Sequence, residues 1–250
     1  MKVFITGGTS GIGLALAQRY HIQGHEVGAC GRDIGKVKSS PETEGIKFYP
    51  LDVTDRKALQ QAVASFSGGE LDLMIIAAGT YTESVIGHPV YEESCAMLEV
   101  NILGTLNAME VARELMHKQG KGHIAAIASV SGLLCYPQAS IYAQSKRTVI
   151  QLCNAYRRAL KDFGIQVTMI APGYVDTPRL RELNNNDLSA KPFTVSCEYA
   201  AETIIEGISS GKQEIIFPTR MRWLIQGLSL LPDALLNLIM RKKATWKKKA

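Results

Sequence analysis

Thr6-Gly7-Gly8-Thr9-Ser10-Gly11-Ile12-Gly13 lies between a β-branched, apolar run, Lys2-Val3-Phe4-Ile5-Thr6, and a segment of helical period. A strand that runs through glycines into a helix is the setting in which backbone amides can close around a pyrophosphate. Glycine allows the tight turn and the close approach, and the positive end of the helix favours the anionic charge. Gly7, Thr9, Ser10, Gly11, Ile12 and Gly13 are therefore the first candidates for binding a dinucleotide. Taken alone, the loop reads equally well as an ordinary glycine-rich turn, so the rest of the chain has to decide.

Outward from this loop, short β-branched or apolar runs alternate with longer helical segments, the pattern of repeated βαβ units. Strands are expected at Lys2–Thr6, Glu26–Cys30, Ile46–Pro50, Leu71–Ala77, His123–Ala128, Gln166–Ala171 and Glu214–Phe217. Helices are expected at Ile12–Gln23, Asp55–Ser65, Ser94–His117, Ile141–Phe163 and Cys197–Ser209. Ser140 is placed to cap the fourth of these, and Gly164 to stop it. Between Thr177 and Pro192 the periodicity dissolves into Asn184-Asn185-Asn186 and scattered charge, which suggests a lid over residues 177–195.

Bulk properties narrow the classes. Apolar residues are 46% and charged residues 20% of the 250, a globular balance that excludes disorder and multi-span membrane topology. The strand-like run follows Met1 directly, so a cytoplasmic, reducing setting is expected. The cysteines, Cys30, Cys95, Cys135, Cys153 and Cys197, are odd in number and unpaired in spacing, and read as packing residues. The histidines form no spaced ligand set and read as surface or capping groups; no metal is expected. Of the net charge of +5, the tail residues Arg241, Lys242, Lys243, Lys247, Lys248 and Lys249 account for the whole excess. No nucleic-acid reading element accompanies them, so no nucleic acid is expected as partner.

Tyr142 and Lys146 are four residues apart at the start of a helix and share a face. A free phenol titrates near 10, so proton exchange near neutrality requires stabilisation of its anion by about 4 kcal/mol. A neighbouring ammonium in a partly dehydrated cleft supplies much of that. Ser129, thirteen residues earlier at a strand end, offers a hydroxyl to a substrate oxygen. By itself, Tyr-x-x-x-Lys is more often a surface pair.

Together these motifs resemble the short-chain dehydrogenase/reductase family. The T-G-x-x-x-G-x-G spacing matches, as do Ser129, Tyr142 and Lys146 in their mutual spacing, with Asn101 as the fourth member of the active-site set. Leu51-Asp52-Val53 stands at the family's adenine-side aspartate, which implies contacts from Asp52 and Val53. Ala77-Ala78-Gly79 occupies the place of an N-A-G turn whose asparagine is missing, leaving Ala78 and Gly79 beside the cofactor. Pro172-Gly173-Tyr174-Val175-Asp176-Thr177 matches the segment that faces the nicotinamide, implying roles for Pro172, Gly173, Val175 and Thr177. The likeness runs over residues 1–220.

The resemblance implies an α/β fold of Rossmann-like, doubly wound type, a seven-stranded parallel sheet with helices on both faces. Residues 1–220 would form the NAD(P)-binding domain with the catalytic site and lid, and 221–250 an apolar, then basic, extension. It also implies hydride transfer between a nicotinamide and a carbonyl or secondary alcohol. In that reaction Tyr142 exchanges the proton, and Asn101 helps hold a water that links Lys146 to solvent. At the end of the second strand, Gly31 replaces the acid of NAD-using relatives and Arg32 is free to pair with a 2′-phosphate. NADP(H) is thus the expected cofactor, with NAD(H) the alternative. A homodimer or homotetramer and a small, hydrophobic substrate belong to the same reading. The competing classes are a non-catalytic nucleotide-sensing protein of the same fold and an epimerase or dehydratase, which would call for a longer chain.

From Met221 to Met240, Leu224, Leu228, Leu231, Leu235 and Leu238 form one helical stripe, interrupted by polar residues and too short of apolar continuity to span a bilayer. Two readings stand for it. Either it packs on the body or a second subunit, or it lies on a membrane surface beside its basic end.

Overall fold

Strands whose residues are apolar at nearly every position can be stable only when both faces of the sheet are covered. Leu73-Met74-Ile75-Ile76 is buried throughout, as is most of Ile165–Pro172. In the computed structural model, which describes residues 1–81, 90–136, 139–232 and 234–239, seven strands pair in parallel. They are β1 (Lys2–Thr6), β2 (Glu26–Gly31), β3 (Lys47–Pro50), β4 (Leu73–Ile76), β5 (Gly122–Ile127), β6 (Ile165–Pro172) and β7 (Glu214–Phe217). Their order is β3-β2-β1-β4-β5-β6-β7, with β3 at the less buried edge.

Period-2 alternation sends neighbouring residues to opposite layers. Phe4, Met74 and Ile124 join one core with Leu59, Phe66, Met109, Val149 and Cys153. Val3, Ile5, Ile75 and Ile170 join the other with Leu16, Tyr20, Ile204 and Ile208. The first layer is covered by α2 (Arg56–Ser67), α4 (Thr105–Gln119) and α5 (Ile141–Leu160), after the short α3 (Tyr91–Leu98). On the second lie α1 (Gly11–Ile22) and α7 (Cys197–Ser209). The doubly wound α/β architecture expected from the sequence is present, and all seven expected strands are found within a few residues.

Three helical expectations change. The segment read as one helix over Ser94–His117 starts at Tyr91 and passes through a π-helical turn, Glu99–Gly104, between α3 and α4. There the Thr105 hydroxyl donates to the Asn101 carbonyl at 2.7 Å. The segment expected as a patternless lid, residues 177–195, contains a short helix, α6 (Pro178–Glu182), capped by Thr177, and Arg181 grips Asp176 through two bonds of 2.6 and 2.5 Å. The lid's far end returns to the body, where Val195 forms a parallel bridge with Val175.

The carboxyl-terminal stripe is also divided: α8 (Thr219–Ser229) ends before Pro232, and residues 234–239 form a separate helical turn. Met221 and Leu236 are the buried anchors of this segment, whereas Leu224, Leu235 and Leu238 are exposed. No helix among the described residues is long and apolar enough to cross a membrane. The basic residues of the tail lie outside the described residues.

His123, read as a surface or capping group, sits half-buried in β5 with Nε2 2.8 Å from Thr168 Oγ1. The Thr168 hydroxyl itself donates to the Lys212 carbonyl, so it accepts from a neutral imidazole. Burial lowers this imidazole from 6.5 to about 4. Between those values the unfolded chain binds the extra proton, so stability falls as pH falls. Urea unfolding should show a loss of about 2 kcal/mol from this group between roughly pH 7 and 5. His123→Gln should flatten that part of the slope; an unchanged slope would contradict the assignment.

Candidate active site

The sheet order reverses between β1 and β4, and such a switch point opens a crevice at the carboxyl ends of the strands. The glycine loop after β1 forms one wall. Gly7 has φ +68, and a side chain there would press within 2.7 Å of the Ala78 backbone. One at Gly13 would collide with the Gly7 carbonyl, so α1 leaves the loop as close to it as backbone can be. The Gly8 amide donates to the Cys30 carbonyl at 3.0 Å, fastening the loop to β2. Ile12 packs on the α1 and α7 side of the core.

Ser10 occupies the N-cap of α1, yet its hydroxyl caps nothing. Asp55, Ser140, Thr177 and Ser196, at the heads of α2, α5, α6 and α7, each accept from a backbone amide. The head of α1 therefore keeps its amides and its hydroxyl for an external anion, which is what a bound pyrophosphate requires. On this ground the loop fits a dinucleotide.

Beyond the loop, Gly31 leaves space that the Thr9 side chain fills, and exposed Arg32 follows. Asp33 is engaged elsewhere, accepting from the Gly35 amide at 3.0 Å and standing 3.5 Å from Lys36. No ion pair among the described residues involves Arg32. Asp52 Oδ1 accepts from the Thr54 amide and hydroxyl, at 2.9 and 2.8 Å. Val53 commits its side chain to the core and its carbonyl to Asn107, so what it can offer a ligand is backbone. The Ala78 amide donates to Thr6 Oγ1 at 3.3 Å.

Across the crevice, Lys146 is buried on α5 with only 5% exposure, and its Nζ donates to the Ile127 carbonyl at 3.0 Å. That nitrogen lies 6.0 Å from the centre of the Tyr142 ring. Burial pulls the lysine down to about 8 and pushes the Tyr142 phenol up to about 12; the adjacent Ser129 hydroxyl pulls the phenol the other way. Both groups thus drift toward their neutral forms, and an anionic phenol must draw its stabilisation from a positive neighbour. Ser129 Oγ accepts from the Ser131 amide and hydroxyl at 3.2 and 3.0 Å, which fixes it at the end of β5.

Asn101 is wholly buried in the π-helical turn. Its Oδ1 accepts from the Thr80 amide at 2.8 Å, and its Nδ2 donates to the Thr80 carbonyl and Ser145 Oγ, each at 3.0 Å. The resemblance implies that it helps hold a water; its side chain ties the turn after β4 to α5. On the segment that the resemblance sets against the nicotinamide, Pro172 ends β6, and the Gly173 amide donates to the Phe217 carbonyl at 2.7 Å. Val175 is buried, and Thr177 lies against Gly11, its Cγ2 3.1 Å from where a side chain at Gly11 would begin. That contact joins the start of the 177–195 segment to the glycine loop.

Several participants escaped the sequence reading. Thr6, Thr80 and Ser145 anchor the site through hydrogen bonds that no spacing announces. Tyr81 meets Tyr142 edge-on with ring centres 4.8 Å apart, and Arg179 of the lid donates to its carbonyl at 3.1 Å. Its position two residues past Gly79 was the one available signal. A cavity of about 800 Å³ beside the loop is lined by Gly11, Leu14, Gln18, Arg181 and Glu198 but by neither Tyr142 nor Lys146. It lies apart from the Tyr142–Lys146 pair.

A family model described as short chain dehydrogenase matches residues 1–188. An uncharacterized oxidoreductase of Staphylococcus aureus strain MW2 is 34% identical over 188 residues, 73% of this chain and 81% of that protein. Another, from Staphylococcus saprophyticus, is 32% identical over 182 residues, 70% and 78% of the two chains. Among solved structures, ElxO with NADP bound is 27% identical with a TM-score of 0.74, covering 86% of this chain and 96% of that one. A short chain dehydrogenase from Burkholderia cenocepacia J2315 in complex with NADP shares the fold, with a TM-score of 0.79 at 21% identity over 94% of each chain.

Gly79 offers a test of the local geometry. A side chain there would begin 3.1 Å from Lys146 Nζ and 3.3 Å from Asn101 Oδ1. Gly79→Ala should fold, because only side-chain ends must move, and should lose turnover by roughly 10 to 100-fold through displacement of the lysine. Undiminished kcat would show that this packing does not matter to the site.

Proposed function

The chain belongs to the short-chain dehydrogenase family of oxidoreductases, and on that premise we propose that it interconverts a carbonyl and a secondary alcohol with NADP(H). The observation that carries this reading is the ammonium of Lys146, buried one helical turn from the Tyr142 phenol beside the Ser129 hydroxyl. A nicotinamide, when bound, supplies or takes up the hydride at the substrate carbon.

The protein's own groups handle the oxygen. In reduction, Ser129 and Tyr142 hydrogen-bond the carbonyl oxygen, and Tyr142 gives it the proton as the hydride arrives at carbon, so the product is the neutral alcohol. The phenolate left behind is stabilised by Lys146 and recovers a proton through it, and Lys146 would be reprotonated from solvent by way of the water that Asn101 helps hold. In oxidation the same path runs backward. Asn101, with Thr80 and Ser145, positions Lys146 and the turn at Gly79 rather than touching the substrate. The uncapped head of α1, with Gly7, Thr9, Ser10 and Gly11, would hold the pyrophosphate. Asp52, Val53 and Ala78 would flank the adenine side, and Pro172, Gly173, Val175 and Thr177 the nicotinamide side.

Arg32 supports the phosphorylated cofactor. Its guanidinium stands at the end of β2 with no acid in the preceding position and with Asp33 diverted to Lys36. The NADP named with ElxO agrees with this choice, and NAD(H) is the alternative. Tyr81 against Tyr142, with Tyr174 in the same neighbourhood, favours a hydrophobic carbonyl substrate. Pairing of α4 and α5 between copies would give a homodimer or homotetramer, and the cytoplasm is the proposed location. The nucleotide-sensing alternative has no observation in its favour, since the proton-transfer set is intact.

Tyr142→Phe should bind NADPH as tightly as the unaltered protein while losing turnover by about 100 to 10,000-fold. Near-native kcat on carbonyls that the native protein reduces would remove Tyr142 from its role. Arg32→Ala should raise the KM for NADPH by about 10 to 100-fold and leave that for NADH nearly unchanged. Equal effects on both cofactors would overturn the 2′-phosphate assignment.

A further inference from the structure

The carboxyl-terminal segment presents apolar side chains to solvent on two successive helical faces. On α8, half-buried Ile225 and Leu228 follow buried Met221 at helical spacing and turn toward the body. Trp223 stands on the opposite face, 68% exposed, and Arg220 and Leu224 on the flank between are exposed as well. Leu230, at the corner that follows, is 86% exposed. In the turn over residues 234–239, Leu236 is buried, while Leu235, Leu238 and Ile239, at helical spacing, are exposed. Six large apolar side chains uncovered within seventeen residues is more than a solvated surface ordinarily shows.

Charge decides what covers them. Residues 219–250 contain eight basic residues against the single acid Asp233. Arg220 and Arg222 lie in α8, and beyond Ile239 the sequence holds Arg241-Lys242-Lys243 and Lys247-Lys248-Lys249. Two copies of such a segment repel each other, so a second chain is a poor occupant. An anionic lipid surface satisfies both features, taking leucine and tryptophan side chains into its interface and the cations among its headgroups. A tryptophan on the exposed face suits the same boundary.

We propose that residues 219–250 dock the protein reversibly on an anionic bilayer surface, with Trp223, Leu224, Leu230, Leu235, Leu238 and Ile239 as the inserted face. Because α8 packs on β7 and on the turn Val130–Gly132 that follows Ser129, the docking face and the candidate active site share the carboxyl edge of the sheet.

The test uses the full chain and phosphatidylcholine vesicles with or without phosphatidylserine. The bound fraction in flotation should be at least ~10-fold higher with phosphatidylserine and should fall as salt is raised. In a Trp246→Phe background, Trp223 emission should shift to the blue on binding. Combined Trp223→Ser, Leu235→Ser and Leu238→Ser should weaken binding by ~10-fold or more without altering the thermal melt, since these side chains contact solvent. Absence of flotation on either vesicle overturns the proposal, as does binding that the triple variant leaves intact. So does burial of Trp223 by concentration-dependent self-association in lipid-free buffer. None of these readouts depends on turnover, so the oxidoreductase assignment stands or falls separately.

Discussion

An ammonium held away from water must be given partners or surrender its proton. Lys146 keeps one such partner, the Ile127 carbonyl at 3.0 Å, and its burial draws it down to about 8. Much of the site is arranged around that nitrogen. Gly79 carries no side chain because one would begin 3.1 Å from it, and Asn101 spans from Thr80 to Ser145 to hold the surrounding turn and helix together. Four separate elements are thereby brought into register: the turn after β4, the π-helical turn, the end of β5 and the first turn of α5.

The sheet makes this convergence possible. With β1 and β4 adjacent and their loops departing to opposite faces, the glycine loop and the Ala77-Ala78-Gly79 turn lie side by side in the crevice. The uncapped α1 is then aimed at an anion, and Ser129 and Tyr142 stand across from it. The phenol and the ammonium are each pushed by burial toward neutrality. A site in that condition is poised: one added positive charge favours the phenolate, and loss of that charge returns the proton. On the proposed reading, Tyr142 would be a proton carrier whose state follows what occupies the crevice.

The inner strands were legible in the sequence because both faces of the sheet are covered, which makes most of them near-continuous apolar runs. The glycine loop and the Tyr142, Lys146 and Ser129 set were legible because their spacing is dictated by a strand end and a helix turn. The π-helical turn was not, since the apolar period runs through it unchanged. The short α6 was hidden by the charges that stabilise it, Arg181 with Asp176 and Arg179 with Glu182. The carboxyl-terminal leucines kept their period across Leu230 and Pro232, where the helix itself stops. Periodicity therefore predicted one stripe in place of two outward faces. Thr6, Thr80 and Ser145 act through contacts between segments distant in sequence, and no local pattern encodes those.

The most direct test of the account is the titration of the Tyr142 phenol itself, followed by NMR with tyrosine labelled at Cζ and assigned by comparison with Tyr142→Phe. In the free protein its midpoint should lie well above the usual phenol value, as burial requires. Addition of NADP⁺ should lower that midpoint, and Lys146→Met should reverse much of the decrease. A midpoint indifferent to both the cofactor and the lysine would contradict the claim that Tyr142 and Lys146 form one proton-transfer unit.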